Sequence, residues 1–137
     1  MERNENLIIV YFCIHGDFKV EKLAKYFDMP IEVSWDKNDI READNKPYGF
    51  SMIKFKEIEG YDPIVSNMME KCIEPFLDKI DLLNILREQY NLEYYLSVVP
   101  FLVVDNMNPA LAPSLKVMEF CVKTKTQIDC DLYLYKE

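Results

Sequence analysis

Glycine is nearly absent from this chain, with three in 137 residues. Phosphate-cradling loops of the P-loop or dinucleotide type need glycines at fixed spacing, so neither chemistry is open to it. Histidine is scarcer still. The single His15 excludes a multi-histidine metal centre and a Cys₂His₂ set. No two of the four cysteines (Cys13, Cys72, Cys121, Cys130) form a CxxC pair, and they read as small buried hydrophobes in a reducing compartment. GxSxG and HExxH are missing, and Ser51, Ser97 and Ser114 stand outside any nucleophile motif.

Long apolar runs are lacking too. Leu7–Ile14 is far shorter than the roughly 20 residues that span a membrane, and the polar start Met1–Asn6 is unlike a secretory signal. A cytoplasmic protein with no membrane association is expected. Basic charge is in deficit: 16 Lys and Arg stand against 24 Asp and Glu, a net charge of −8. Nucleic-acid binders normally present a basic face, and no Lys/Arg cluster exists beyond Lys123 and Lys125 near a helix end, so nucleic acid is not an expected partner. An acidic surface suits a basic protein partner. It also serves simply to keep a protein soluble.

The chain is otherwise well supplied. Half of it is apolar, and nine Tyr, eight Phe and one Trp argue for a packed core within one domain over residues 1–137. Leu7–Ile14 is a continuous β-rich run suited to a central strand. Val20, Leu23, Ala24 and Phe27 repeat at helical spacing until Pro30 stops them. Ile31–Trp35 reads as a strand, Asp36–Pro47 as a loop and Phe50–Ile58 as a strand. Asp62 and Pro63 read as the N-cap and first residue of a helix. Pro75 divides that stretch into Ile64–Ile73 and Phe76–Gln89. Leu92–Val99 is a strand that Pro100 bends or ends, with Phe101–Val104 beyond the bend. Pro113 opens a helix to about Val122, with Leu115, Met118 and Val122 expected inward.

The closing segment Gln127–Tyr135 alternates almost without fault. As a strand it places Ile128, Cys130, Leu132 and Leu134 on one face and Asp129, Asp131, Tyr133 and Tyr135 on the other. The order is β-α-β-β-α-α-β-α-β. It predicts an α+β two-layer sandwich: one mixed, mostly antiparallel sheet of about five strands with helices packed on it.

Several of these pieces together resemble the bacterial domain of unknown function 4279 family. They are the Ile14-His15-Gly16 turn, the helix leading to Pro30, and Trp35 with Lys37 and Asp39. Further along stand Glu74-Pro75, the Leu111-Ala112-Pro113 lead-in and the closing Ile128-Asp129-Cys130-Asp131-Leu132-Tyr133. The likeness spans about Leu7 to Tyr135. Asn38 stands where the family tends to have glycine, and Asn tolerates positive φ better than most residues. Phe50 stands where the family often has Trp. The resemblance implies a fold and a bacterial origin, and carries over no catalytic residue.

Each candidate site residue has two readings. His15 could be a general base oriented by Asp17, or a hydrogen-bonded histidine at a strand end. Asp129 and Asp131 could bind a divalent cation or share a proton. They could equally be solvated, cap helices, pair with basic groups, or guard an edge strand. Trp35 could anchor an interface or the core. Tyr90, Tyr94, Tyr95, Tyr133 and Tyr135 could form a recognition surface or cross-strand packing. No cofactor or metal is expected. The leading expectation is a non-enzymatic interaction module, of immunity or regulatory type, using Trp35, Lys37, Asp39, Asp129, Asp131, Tyr133 and His15. One alternative is a small metal-dependent or acid/base enzyme built on Asp129 and Asp131. The other is a small-ligand binder.

Overall fold

A computed structural model describes residues 5–136; Met1–Asn4 of the polar start, and Glu137, lie outside the described residues. The fold is the expected α+β arrangement, a mixed sheet with helices on one side. Strand β1 (Leu7–Gly16) and strand β5 (Glu93–Val103) pair antiparallel at its centre. β3 (Ser51–Phe55) and β4 (Ile58–Gly60) share the other side of β1, and β2 (Ile31–Trp35) forms one edge. β6 (Thr126–Cys130) and β7 (Tyr133–Tyr135) run parallel to β5 at the opposite edge. A parallel pairing needs a crossover, which helix α4 (Leu115–Thr124) supplies.

Ile8, Val10, Phe12 and Ile14 point from β1 into the helix layer and are at most 1% exposed. Phe12 is the hub, with ring centres of Phe55, Phe76, Tyr94 and Phe120 at 4.5–6.2 Å. The helix layer comprises α1 (Val20–Ala24), α2 (Ser66–Ile73), α3 (Ile80–Tyr90) and α4. Pro75 divides α2 from α3 as expected, through a 3₁₀ turn over Glu74–Lys79 that delivers Phe76 to the core. Helix α2 begins later than Asp62-Pro63 implies. The backbone of Pro63–Val65 is held by Ala110, which donates to Pro63 and accepts from Val65. Asp62 instead closes a local turn, accepting from the Ile64 N–H at 2.8 Å.

Scarce glycine is met by other residues. Asn38, Asn45, Asn91, Asp105 and Lys125 take positive φ, with Asn38 at 75°. Asn91 and Lys125 end α3 and α4 in this conformation.

Helix α1 ends at Ala24, well before Pro30, so the proline does not stop it. Four further expectations need correction. Pro100 does not end β5, one of the two effects expected of it; it sits inside the strand opposite Ile8, and β5 continues to Val103 as the other allows. Its effect falls on the neighbour instead. A proline has no N–H to return to the carbonyl of Asp131, and the closing strand breaks at Asp131-Leu132, between β6 and β7. The register survives, since Val98 pairs with Cys130 and Phe101 with Tyr133. Second, Phe50–Ile58 is two strands, interrupted at Lys56-Glu57. Third, the inward face of α4 is Val117, Phe120, Cys121 and Thr124, which satisfy the i, i+3, i+4, i+7 spacing. Leu115 and Val122 are consequently 80% and 77% exposed. Fourth, Cys130 is exposed, as are Ile128, Leu132 and Leu134, because β6 and β7 form the sheet edge.

Candidate functional site: the helix-free face of the sheet

Alternation along the strands sends every second side chain away from the helices. On β1 these are Leu7, Ile9, Tyr11, Cys13 and His15; on β5 they are Tyr95, Ser97, Val99 and Phe101. No described helix covers them, and most are half-buried only by one another. The result is an aromatic surface, unusual for a solvent-facing sheet side.

Its first part is a row across the N-terminal edge. Tyr48 stacks on Trp35 with ring centres 4.0 Å apart. Phe50 follows at 6.0 Å from Trp35, His15 at 4.6 Å from Phe50, and Tyr95 at 4.7 Å from His15. The Trp35 indole N–H donates to the Phe50 carbonyl at 2.9 Å, which fixes the ring's tilt. Its second part lies at the other edge, where Phe101 stacks on Tyr133 at 5.2 Å and meets Tyr135 at 6.1 Å. Between them stands Lys54, with Nζ 4.4 Å from the centre of the Tyr11 ring and 2.9 and 3.3 Å from Glu57 and Glu32. Burial pulls the Lys54 pKa down, but the hydrogen bonds to Glu57 and Glu32 outweigh it and hold the ammonium charged.

Two titratable groups on this face, Cys13 and His15, favour their neutral forms. Cys13 Sγ lies 3.7 Å from His15 Nε2. Burial pushes the thiol up to about 12, against an opposing hydrogen bond from Ser97, and burial also lowers the His15 pKa. A Cys–His nucleophile requires the thiolate beside an imidazolium. Here both partners are held uncharged. The Tyr95 hydroxyl donates to Glu93, and that bond pushes its pKa up to about 12.

The expected site residues fall into separate groups. Trp35 is not a core anchor; it lies half-buried on the open face. Lys37 and Asp39 are engaged locally in the following loop. Lys37 Nζ sits 3.3 Å from Asp17, and Asp39 accepts the Asp36 N–H at 2.9 Å. Asp17 is thereby taken by Lys37. Asp36 in turn accepts the Val20 N–H at 2.8 Å, tying this loop to α1. Asp131 accepts the Tyr133 hydroxyl at 2.9 Å, while Asp129 is exposed opposite Ser97.

His15 pairs with Glu93 and Asp129 with Ser97, four residues further along β5. At the usual rise of a strand that is a separation of about 13 Å along the sheet. His15 therefore does not converge with the aspartates. Among the described residues, no group of three or more His, Cys, Asp or Glu could hold a metal ion. The five tyrosines separate as well: Tyr94 is buried in the helix layer, donating to the Leu83 carbonyl at 2.7 Å. Tyr48, Phe50 and Tyr11 join the face without having been singled out. Alternation along β1 would have found Tyr11, but Tyr48 and Phe50 arrive through the loop's return.

A scan against protein-family models, a search of curated proteins and a search of solved structures each find no match. No helix among the described residues is long and apolar enough to cross a membrane.

Proposed function

We propose that this protein is a non-enzymatic interaction module that binds a protein partner through the helix-free face of its sheet. The observation that carries the reading is the aromatic row Tyr48–Trp35–Phe50–His15–Tyr95 on a sheet side no described helix covers. Rigid aromatic side chains lose little entropy when a partner docks, and they are enriched where binding energy concentrates. Exposed Asp129 and Asp131 at one margin, with the net charge of −8, favour a partner carrying an apolar patch with a basic rim. A cytoplasmic setting, kinship with the bacterial domain of unknown function 4279 family, and an immunity-type or regulatory role belong to the same proposal.

The test compares matched variants in affinity capture from the native host. Tyr95→Ala with Phe101→Ala alters the open face; Leu115→Ser with Val122→Ser alters the exposed stripe of α4. The proposal expects a partner held by the wild type and the α4 variant and lost by the face variant. A partner lost only with the α4 variant overturns it, as does the absence of any partner that depends on the face.

A further inference from the structure

A second feature lies on the opposite side of the sheet, independent of the aromatic face. Between β3, β4 and the α2–3₁₀ junction there is a cavity of about 300 Å³. Its origin is the proline. Pro75 prevents α2 from continuing, and the tighter turn that replaces it leaves a gap against the β3–β4 connection. The floor is Phe12, Phe55 and Phe76, three nearly fully buried rings in mutual contact. Met29 and Cys72 line the walls, and burial pushes the Cys72 thiol up to about 12.

The rim is of a different character. Lys56 and Lys71 both line the cavity, and neither forms an ion pair among the described residues. The one carboxylate lining it, Glu57, is already engaged by Lys54 at 2.9 Å. Two unpaired cations thus stand over an apolar hole in an otherwise acidic protein. We infer that this cavity binds a small amphipathic carboxylate, its apolar tail on Met29, Pro30, Ile58 and Pro75 above the phenylalanine cluster and its carboxylate between Lys56 and Lys71. The volume equals that of about ten waters, so a ligand of about ten non-hydrogen atoms fits. A medium-chain fatty acid has this size and chemistry.

Isothermal titration of the full chain with octanoate, and separately with octanol, tests the assignment. Octanoate is expected to bind to saturation at one site, at least about tenfold more tightly than octanol. Lys56→Gln with Lys71→Gln changes only exposed side chains and is expected to remove that difference. Met29→Trp fills the cavity and is expected to abolish binding of both compounds. Equal affinity for the two compounds, no effect of the lysine substitutions, or no saturable binding overturns the inference. Loss of octanoate binding in the Tyr95/Phe101 variant would also overturn it, by placing the ligand on the aromatic face.

Discussion

Trp35 and Tyr48 lie flat against each other, ring centres 4.0 Å apart and planes within 10° of parallel. Twelve residues of loop separate them, and the stack closes that loop onto the sheet. The backbone supports the closure: Asn38 donates to the Tyr48 carbonyl at 3.0 Å, and Tyr48 donates to Asp39 at 2.9 Å. Tyr48→Ala should uncover one face of the only tryptophan. Its emission should shift to the red and its quenching by acrylamide should rise. The cost in stability should be about 0.5–1.5 kcal/mol beyond lost burial, read by urea denaturation.

Ser51 is a smaller but sharper test. Its hydroxyl, fully buried, donates to the Phe18 carbonyl at 2.5 Å and accepts the Lys37 N–H at 2.9 Å. It joins the turn after β1 to the loop after β2. Ser51→Ala leaves both backbone groups without this partner, and should cost about 1–3 kcal/mol. An unchanged denaturation midpoint would show that the two loops do not depend on it.

His15 should make stability pH-dependent on the acid side of neutrality. Burial lowers its pKa below the usual 6.5, partly opposed by the Glu93 charge. The unfolded chain therefore takes up a proton near pH 6.5 that the folded chain resists. The contribution is complete above that value and declines as pH falls from there toward the folded pKa. Urea denaturation at pH 7.5 and 5.5 should show a larger loss for the wild type than for His15→Gln. The imidazole proton resonance should titrate with a midpoint below 6.5.

The cysteines should separate by reactivity. Cys13, Cys72 and Cys121 are buried, and burial pushes their thiols up to about 12, 12 and 11. Cys130 is exposed, and burial together with Asp129 and Asp131 raises it less. Iodoacetamide at pH 8 should modify Cys130 first, and peptide mapping should find the other three intact until the fold opens. Equal labelling of Cys13 would show that the open face breathes.

The core offers the largest expected effect. Phe76 packs on Phe12 at 4.5 Å and Phe55 at 5.1 Å, 2% exposed. Phe76→Ala should cost about 3–5 kcal/mol. It also enlarges the cavity floor, so thermal melting with and without octanoate would report on both.

Local pattern carried much of this protein. The apolar run from Leu7, the break at Pro75 and the alternation from Gln127 are set by backbone sterics and side-chain spacing, which act over a few residues. They suffice for an α+β sheet with helices on one side. The identity of the buried face of α4 was not decided at that range. Leu115, Met118 and Val122 and the set Val117, Phe120, Cys121 and Thr124 both have helical spacing. Only the packing of α4 against α2, α3 and β6 selects the second set. Pro100 is similar: its missing N–H is local, yet whether this ends its own strand or interrupts a neighbour depends on which strand lies alongside.

The candidate site shows the same division. The alternation that sends Asp129, Asp131, Tyr133 and Tyr135 to one side of the closing strand follows from the sequence by itself, because side chains in any strand alternate. That this side lacks a helix, that Tyr48 and Phe50 return from the loop to join Trp35, and that His15 stands about 13 Å along the sheet from Asp129 follow only from strand order and register. Those are contacts between residues distant in the chain, and they are settled by how the layers pack together.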